Sequence, residues 1–193
     1  QTSDKKCVGK IGIDVPAVTY VADNPGGVFT LYVPLYESDV RTVKSELATF
    51  FEAFPQATVW ANPRDGTGYD MVLMGQAAPL RINLDELDKR LARPDYVPVV
   101  DSLRGIGVFS PSDLLATYAG RKSDLGVWVK GAEINRDGDL RLMYLAGWGI
   151  DSRLEDRIYR EMKRHFREPQ DLFTGSPERV SAMLQALSSA PRL

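Results

Sequence analysis

A chain of 193 residues, 44% of them apolar, is long enough for one substantial core, and one domain is the default at this length. Its 24 basic and 26 acidic residues leave a formal charge of −2, which provides no broad basic field for a phosphate backbone, so no nucleic-acid partner is expected. One cysteine, Cys7, and one histidine, His165, exclude an internal disulfide and a zinc site of the usual nitrogen and sulfur type, so no metal is expected.

In chain order, Cys7 to Ala22 is rich in β-branched residues and interrupted by glycine and Pro16, which fits two short strands or an edge hairpin. Asn24-Pro25-Gly26-Gly27 is a turn. Val28 to Val33 follows as a strand with no charge, the pattern expected when both faces are covered. Ser38 is a good N-cap and Asp39 places a carboxylate in a first helical turn. Val40, Val43, Leu47, Phe50, Phe51 and Phe54 recur at helical spacing, so the helix runs from Asp39 to Phe54 and Pro55 ends it. Ala57 to Ala61 and Tyr69 to Gly75, joined by NPRDGTG, pair most simply as antiparallel strands.

Asn83 begins a second helix, with Leu84, Leu87 and Leu91 along one face, ending before Pro94. The remainder reads as mainly helical, around Val97 to Ile106, Ser110 to Ala119, Leu154 to Phe166 and Pro177 to Leu187. The expected organisation is an N-terminal extension over residues 1–23, an α/β layer over 24–80 and a helical region over 81–193. No apolar run approaches the roughly 20 residues that cross a bilayer, and the opening QTSDKK lacks the apolar core of a signal peptide. The residues given are therefore expected to be soluble and cytoplasmic; because they begin with Gln1, not Met, that expectation extends no further.

The runs PGGVFTLYVPLYESDVRTVKSELATFFEAFP, GYDMVLMGQ, AEINRDGDLRLMYLAG and QDLFTGSPE resemble the C-terminal part of spermidine-synthase-like proteins, the polyamine aminopropyltransferases. The likeness is strongest to the bacterial group in which that domain is fused to a transporter-like membrane region. It covers Asn24 to Glu178 and leaves residues 1–22 outside. The resemblance implies an α/β fold: part of a class I methyltransferase-like, Rossmann-like sheet with antiparallel edge strands, followed by a mainly helical tail. Val28 to Val33 would be its fifth strand and Ala57 to Gly75 its last two. It also implies a place in polyamine biosynthesis, through aminopropyl transfer from decarboxylated S-adenosylmethionine to a diamine.

Such transfer needs a sulfonium electrophile held in line and carboxylates that bind the diamine and help deprotonate its nitrogen. In the family, the glycine-rich nucleoside turn, the ribose-binding acid and the central aspartate all lie upstream of the matching segment. The nearest glycine pattern here, VGKIG at Val8 to Gly12, is followed by IDVP and not by a helix start, and Asp14 behind it reads as a turn carboxylate. The resemblance therefore implies a unit without its nucleoside-binding half, inactive alone and serving as a binding or assembly subunit. No cofactor is then expected in this chain. The alternative is an active aminopropyltransferase completed by another chain or a longer parent, with decarboxylated S-adenosylmethionine as co-substrate. A sheet missing its first strands leaves an apolar edge, so another protein chain or a homo-oligomer is expected to cover it, with residues 1–22 as a further source of part of that cover and association at the periphery of a membrane complex as one form.

Ligands of open α/β sheets bind beyond the carboxyl ends of strands, which singles out the exit Pro34-Leu35-Tyr36-Glu37. There Tyr36 is a candidate to stack on a ligand and Glu37 to bind an amine; an ordinary strand exit with a packed Tyr and a solvated Glu is the plainer reading. Leu35 stands where many aminopropyltransferases carry a nearby glutamine. Asn135-Arg136-Asp137-Gly138-Asp139 resembles the family's INTDD-type run, with Arg136 where threonine is common. Asp137 and Asp139 are candidates to hold a polyamine or a cation; a charged turn is the plainer reading, and the spacing is not that of a calcium loop. Asp65-Gly66-Thr67-Gly68 reads as a hairpin turn. His165 reads as a helix C-terminal residue, and Trp60, Trp128 and Trp148 as core or interface anchors.

Overall fold

The computed structural model describes residues 26–64, 67–136, 138–139, 142, 144–145, 149 and 152–189. The expected N-terminal hairpin, with Cys7 and Asp14, lies outside the described residues, as do Asp65, Gly66, Asp137 and Trp148. The described chain is mixed α/β. Strands β1 (Phe29–Pro34), β2 (Thr58–Arg64), β3 (Thr67–Gly75) and β5 (Tyr118–Arg121) form one sheet in the order β1-β3-β2-β5. Every neighbouring pair in it is antiparallel. β1 and β2 therefore point the same way, with β3 inserted between them and helix α1 (Val40–Ala53) crossing from one to the other.

α1 forms where its apolar spacing places it, but its N-cap is Asp39, whose side chain accepts from the Thr42 amide at 2.8 Å. Ser38, the expected cap, turns its hydroxyl back to the Pro34 carbonyl at 2.7 Å. The apolar face of α1 buries Val43, Leu47, Phe50, Phe51 and Phe54 against Val33, Val59, Ala61, Met71 and Leu73. Phe54 stacks on Phe29 with ring centroids 5.7 Å apart, and its ring is tilted by 40° against that of Phe50 at 5.1 Å. Gly75 permits this packing: a Cβ there would lie 2.5 Å from the Phe54 ring. The polar flank of α1 is tied down as well, since Ser45 donates to the Glu133 carbonyl at 2.6 Å and Thr49 accepts from the Asn135 amide at 2.9 Å.

The remaining chain begins with a short β4 (Ile82–Asn83), parallel to β6 (Phe173–Thr174). Helix α2 (Leu84–Leu91) is capped by Asn83, as its sequence predicts. A 3₁₀ turn at Pro94–Tyr96 leads into α3 (Val97–Gly105), and α4 (Pro111–Leu115) follows. After β5 come α5 (Lys122–Leu125), α6 (Glu155–Lys163) and α7 (Pro177–Ser189). Met183 and Leu187 of α7 join Leu84, Leu115, Tyr118, Leu172 and Phe173 in a second apolar cluster, against which Trp60 packs.

Two expectations are corrected here. The helix expected over Ser110 to Ala119 stops at Leu115, and the chain becomes strand β5. The physical reason is the open edge of β2, which offers main-chain partners to Tyr118, Gly120 and Arg121. Gly120 adopts φ +143° there, a conformation glycine takes without strain. The second correction concerns β1, which has one covered face, not two. Phe29, Leu31 and Val33 point into the core while Thr30 and Tyr32 are exposed.

Candidate functional site

The strand exit is a tight corner. Leu35 is fully buried, and its amide and that of Tyr36 both donate to the Tyr69 carbonyl, at 3.0 and 3.3 Å. This bend turns the chain off the sheet before α1 begins. It leaves Glu37 at φ 60°, the left-handed region for a residue that is not glycine. Backbone in that region costs roughly 1–2 kcal/mol, and such residues concentrate at functional corners. Behind the corner, Gly149 packs so closely that a Cβ on it would lie 2.8 Å from the Glu37 carbonyl oxygen. Ser152 donates to the Ser38 carbonyl at 2.8 Å.

Four side chains meet at this end of the sheet. The Tyr36 ring stacks on that of Tyr69 with centroids 4.8 Å apart. The Tyr36 and Tyr32 hydroxyls lie 3.4 Å apart, and the Tyr32 hydroxyl donates to the Asp70 carboxylate at 3.2 Å. The hydrogen bond to Tyr36, then burial and the Asp70 charge, holds the Tyr32 phenol above its ordinary value. Tyr32 is therefore a neutral donor at any physiological pH. Glu37 is exposed beside this cluster. Aromatic faces and carboxylates close together favour a cation, such as an alkylammonium group, over an anion.

The second candidate run sits elsewhere. Arg136 pairs with Glu52 at 2.7 Å, near the C-terminal end of α1, and the Asp139 amide donates to the Arg136 carbonyl at 2.9 Å. Asp139 is exposed. Tyr36 and Glu37 precede the other end of α1, so the length of that helix, about 20 Å at 1.5 Å per residue, separates the two candidates. They are not brought together. Among the described residues no group of three or more His, Cys, Asp or Glu side chains is placed to hold a metal.

Tyr32, Tyr69 and Asp70 escaped the sequence reading. The signal for Tyr32 is its position alternate to Leu31 and Val33, which face the core. Asp70 becomes its partner only because β1 pairs with β3, setting Pro34 opposite Asp70 and Tyr32 opposite Val72.

The face bearing Tyr32 is half covered. Along one row, Tyr32 lies opposite Val72, and Val72 opposite Trp60. Trp60 is covered by the second cluster, whereas Val28, Tyr32 and Val72 are 49, 51 and 37% exposed. Among the described residues nothing pairs with the outer edge of β1. No family model matches this chain, and neither a curated protein nor a solved structure matches it.

Proposed function

We propose that this chain is the C-terminal part of a spermidine-synthase-like α/β unit that performs no aminopropyl transfer alone and acts as a binding or assembly subunit. The observation that carries this reading is the state of β1. Among the described residues it is a six-residue edge strand without charge, paired in unbroken register on one side and with no partner on the other, with an apolar flank at Val28, Tyr32 and Val72. Natural edge strands are blunted by charges, prolines or bulges. Here only Pro34, at the far end, serves that purpose. A partner strand added along β1 would satisfy its free main-chain groups and bury Tyr32 and Val72 at once.

What supports this reading is the order β1, α1 and then the antiparallel pair β2 and β3, the order that the resemblance implies for its fifth strand, the following helix and its last two strands. In this reading Tyr36 and Glu37, with Tyr32 and Asp70, form the amine-facing rim of a site whose nucleoside half another polypeptide supplies. A membrane complex is one setting for such a subunit, with this chain at its periphery; no helix among the described residues is long and apolar enough to cross a membrane.

Calorimetry tests the proposal. This chain alone is expected to give no saturable heat with decarboxylated S-adenosylmethionine or methylthioadenosine. Saturable micromolar binding by the chain alone would overturn it. Binding that appears only after a second polypeptide is added would establish the alternative, a transferase completed in trans.

A further inference from the structure

We infer that the cavity at the C-terminal turn of α6 binds a small polyanion, one that carries two or more phosphate groups. The cavity encloses about 430 Å³ and is lined by Arg160, Lys163, Arg164 and Arg167, with Glu168 as its one carboxylate and Phe166 and Leu187 as its apolar part. This site is independent of the β1 edge and of the tyrosine cluster, and its charge is opposite to that of any amine site.

The charge is concentrated here by the way these cations are held. Arg41, Arg93, Arg121, Arg157 and Arg179 each face an Asp or Glu at 2.7 to 3.5 Å. Arg160 and Arg167 instead donate to main-chain carbonyls, those of Asp156 at 3.2 Å and Phe166 at 2.9 Å. A carbonyl orients a guanidinium without neutralising it. No carboxylate pairs with Arg160, Arg164 or Arg167 among the described residues. The Lys163 ammonium is positioned over the Tyr159 and Phe166 rings, 5.7 and 5.3 Å from their centroids. The last carbonyls of α6 offset about half a charge, and Glu168 one more, which leaves a surplus on Arg160, Arg164 and Arg167 without counting Lys163, on a chain whose formal charge is −2.

Size and chemistry then choose the ligand. The volume falls in the range of small-molecule sites, roughly 300–1,000 Å³, and is far too small for a duplex groove. Guanidinium groups bind phosphate oxygens in pairs, and several oriented cations around one cavity favour a di- or triphosphate over a single anion.

Isothermal titration of the full chain with inorganic pyrophosphate at low salt is the test, with orthophosphate titrated in parallel. Saturable one-to-one binding of pyrophosphate is expected, tighter than that of orthophosphate. The R164Q/R167Q double variant is expected to weaken it at least about tenfold, the loss of one charge-assisted contact. Both side chains are exposed, so the fold should survive, which circular dichroism checks. The charge-keeping R164K/R167K variant should bind more tightly than R164Q/R167Q but less tightly than wild type, since an ammonium keeps the charge and loses the paired contact, and R104Q, outside the cavity lining, should retain all of the affinity. Absence of saturation at millimolar pyrophosphate, equal affinity for orthophosphate, or an unchanged constant in R164Q/R167Q would overturn the inference.

Discussion

Glu37 holds the one positive φ among the described residues that are not glycine, and a glycine there would adopt it without the steric cost. Replacing it, E37G, is expected to raise stability by about 1 kcal/mol, read from urea unfolding; a loss of stability would mean that the Glu37 side chain does more than occupy a corner. Asp39 gives a prediction with a pH signature. Burial opposes its ionisation, but hydrogen bonds from the Thr42 amide and hydroxyl outweigh burial and hold the carboxyl below its ordinary 3.8. Its stabilising effect is therefore present above that value and is lost as the pH falls through the lower folded value. D39A should cost about 1 kcal/mol near neutrality, and the difference from wild type should shrink on acidification below about pH 4.

The same helix carries an electrostatic liability. Glu46 lies between Thr42 and Thr49 along α1, one of its carboxylate oxygens is buried without a hydrogen-bond partner, and burial pushes its carboxyl from 4.5 up to about 7. For an acid raised in the folded state, the unfolded chain ionises first. Stability is thus lost as the pH rises from 4.5 to about 7 and is constant beyond. E46Q should remove that slope: variant and wild type should match near pH 4, and the variant should be more stable by roughly 1–3 kcal/mol at pH 8. A wild-type profile already flat across that window would refute the assignment. The elements also show what sequence patterning misses. Ser110-Pro111-Ser112-Asp113 signals a helix start, and the capping box between Ser110 and Asp113 forms. Where that helix stops depends on the free edge of β2, which no local pattern around Tyr118-Ala119-Gly120-Arg121 announces.

At the scale of the molecule, the open flank of β1 dominates. Thr30 is exposed on that strand and opposite Met74, so T30K places a charge on the edge without touching the core. It should reduce concentration-dependent association, read by light scattering after gel filtration, while the melting temperature of the dilute protein stays within a degree or two. If wild type and T30K both remain monomeric at high concentration, a homo-oligomer through this edge is ruled out.

The sequence by itself determined the elements whose cause is local: the period of α1, the cap at Asn83 and the antiparallel pairing of β2 with β3 across a short loop. Each follows from side-chain spacing and short loops, so no distant contact is needed to read it. VFTLYV shows the limit of that reading, because an uncharged strand looks alike whether both faces are covered or one awaits a partner. Tertiary structure alone decided which face of β1 is bare, that β5 exists, and that Tyr32 meets Asp70 across 38 residues of sequence. It also separated Tyr36 and Glu37 from Asp139 by the length of a helix and gathered Arg160, Arg164 and Arg167 around a cavity shared with Leu187 of α7. Those facts depend on strand register and helix docking, which long-range packing sets.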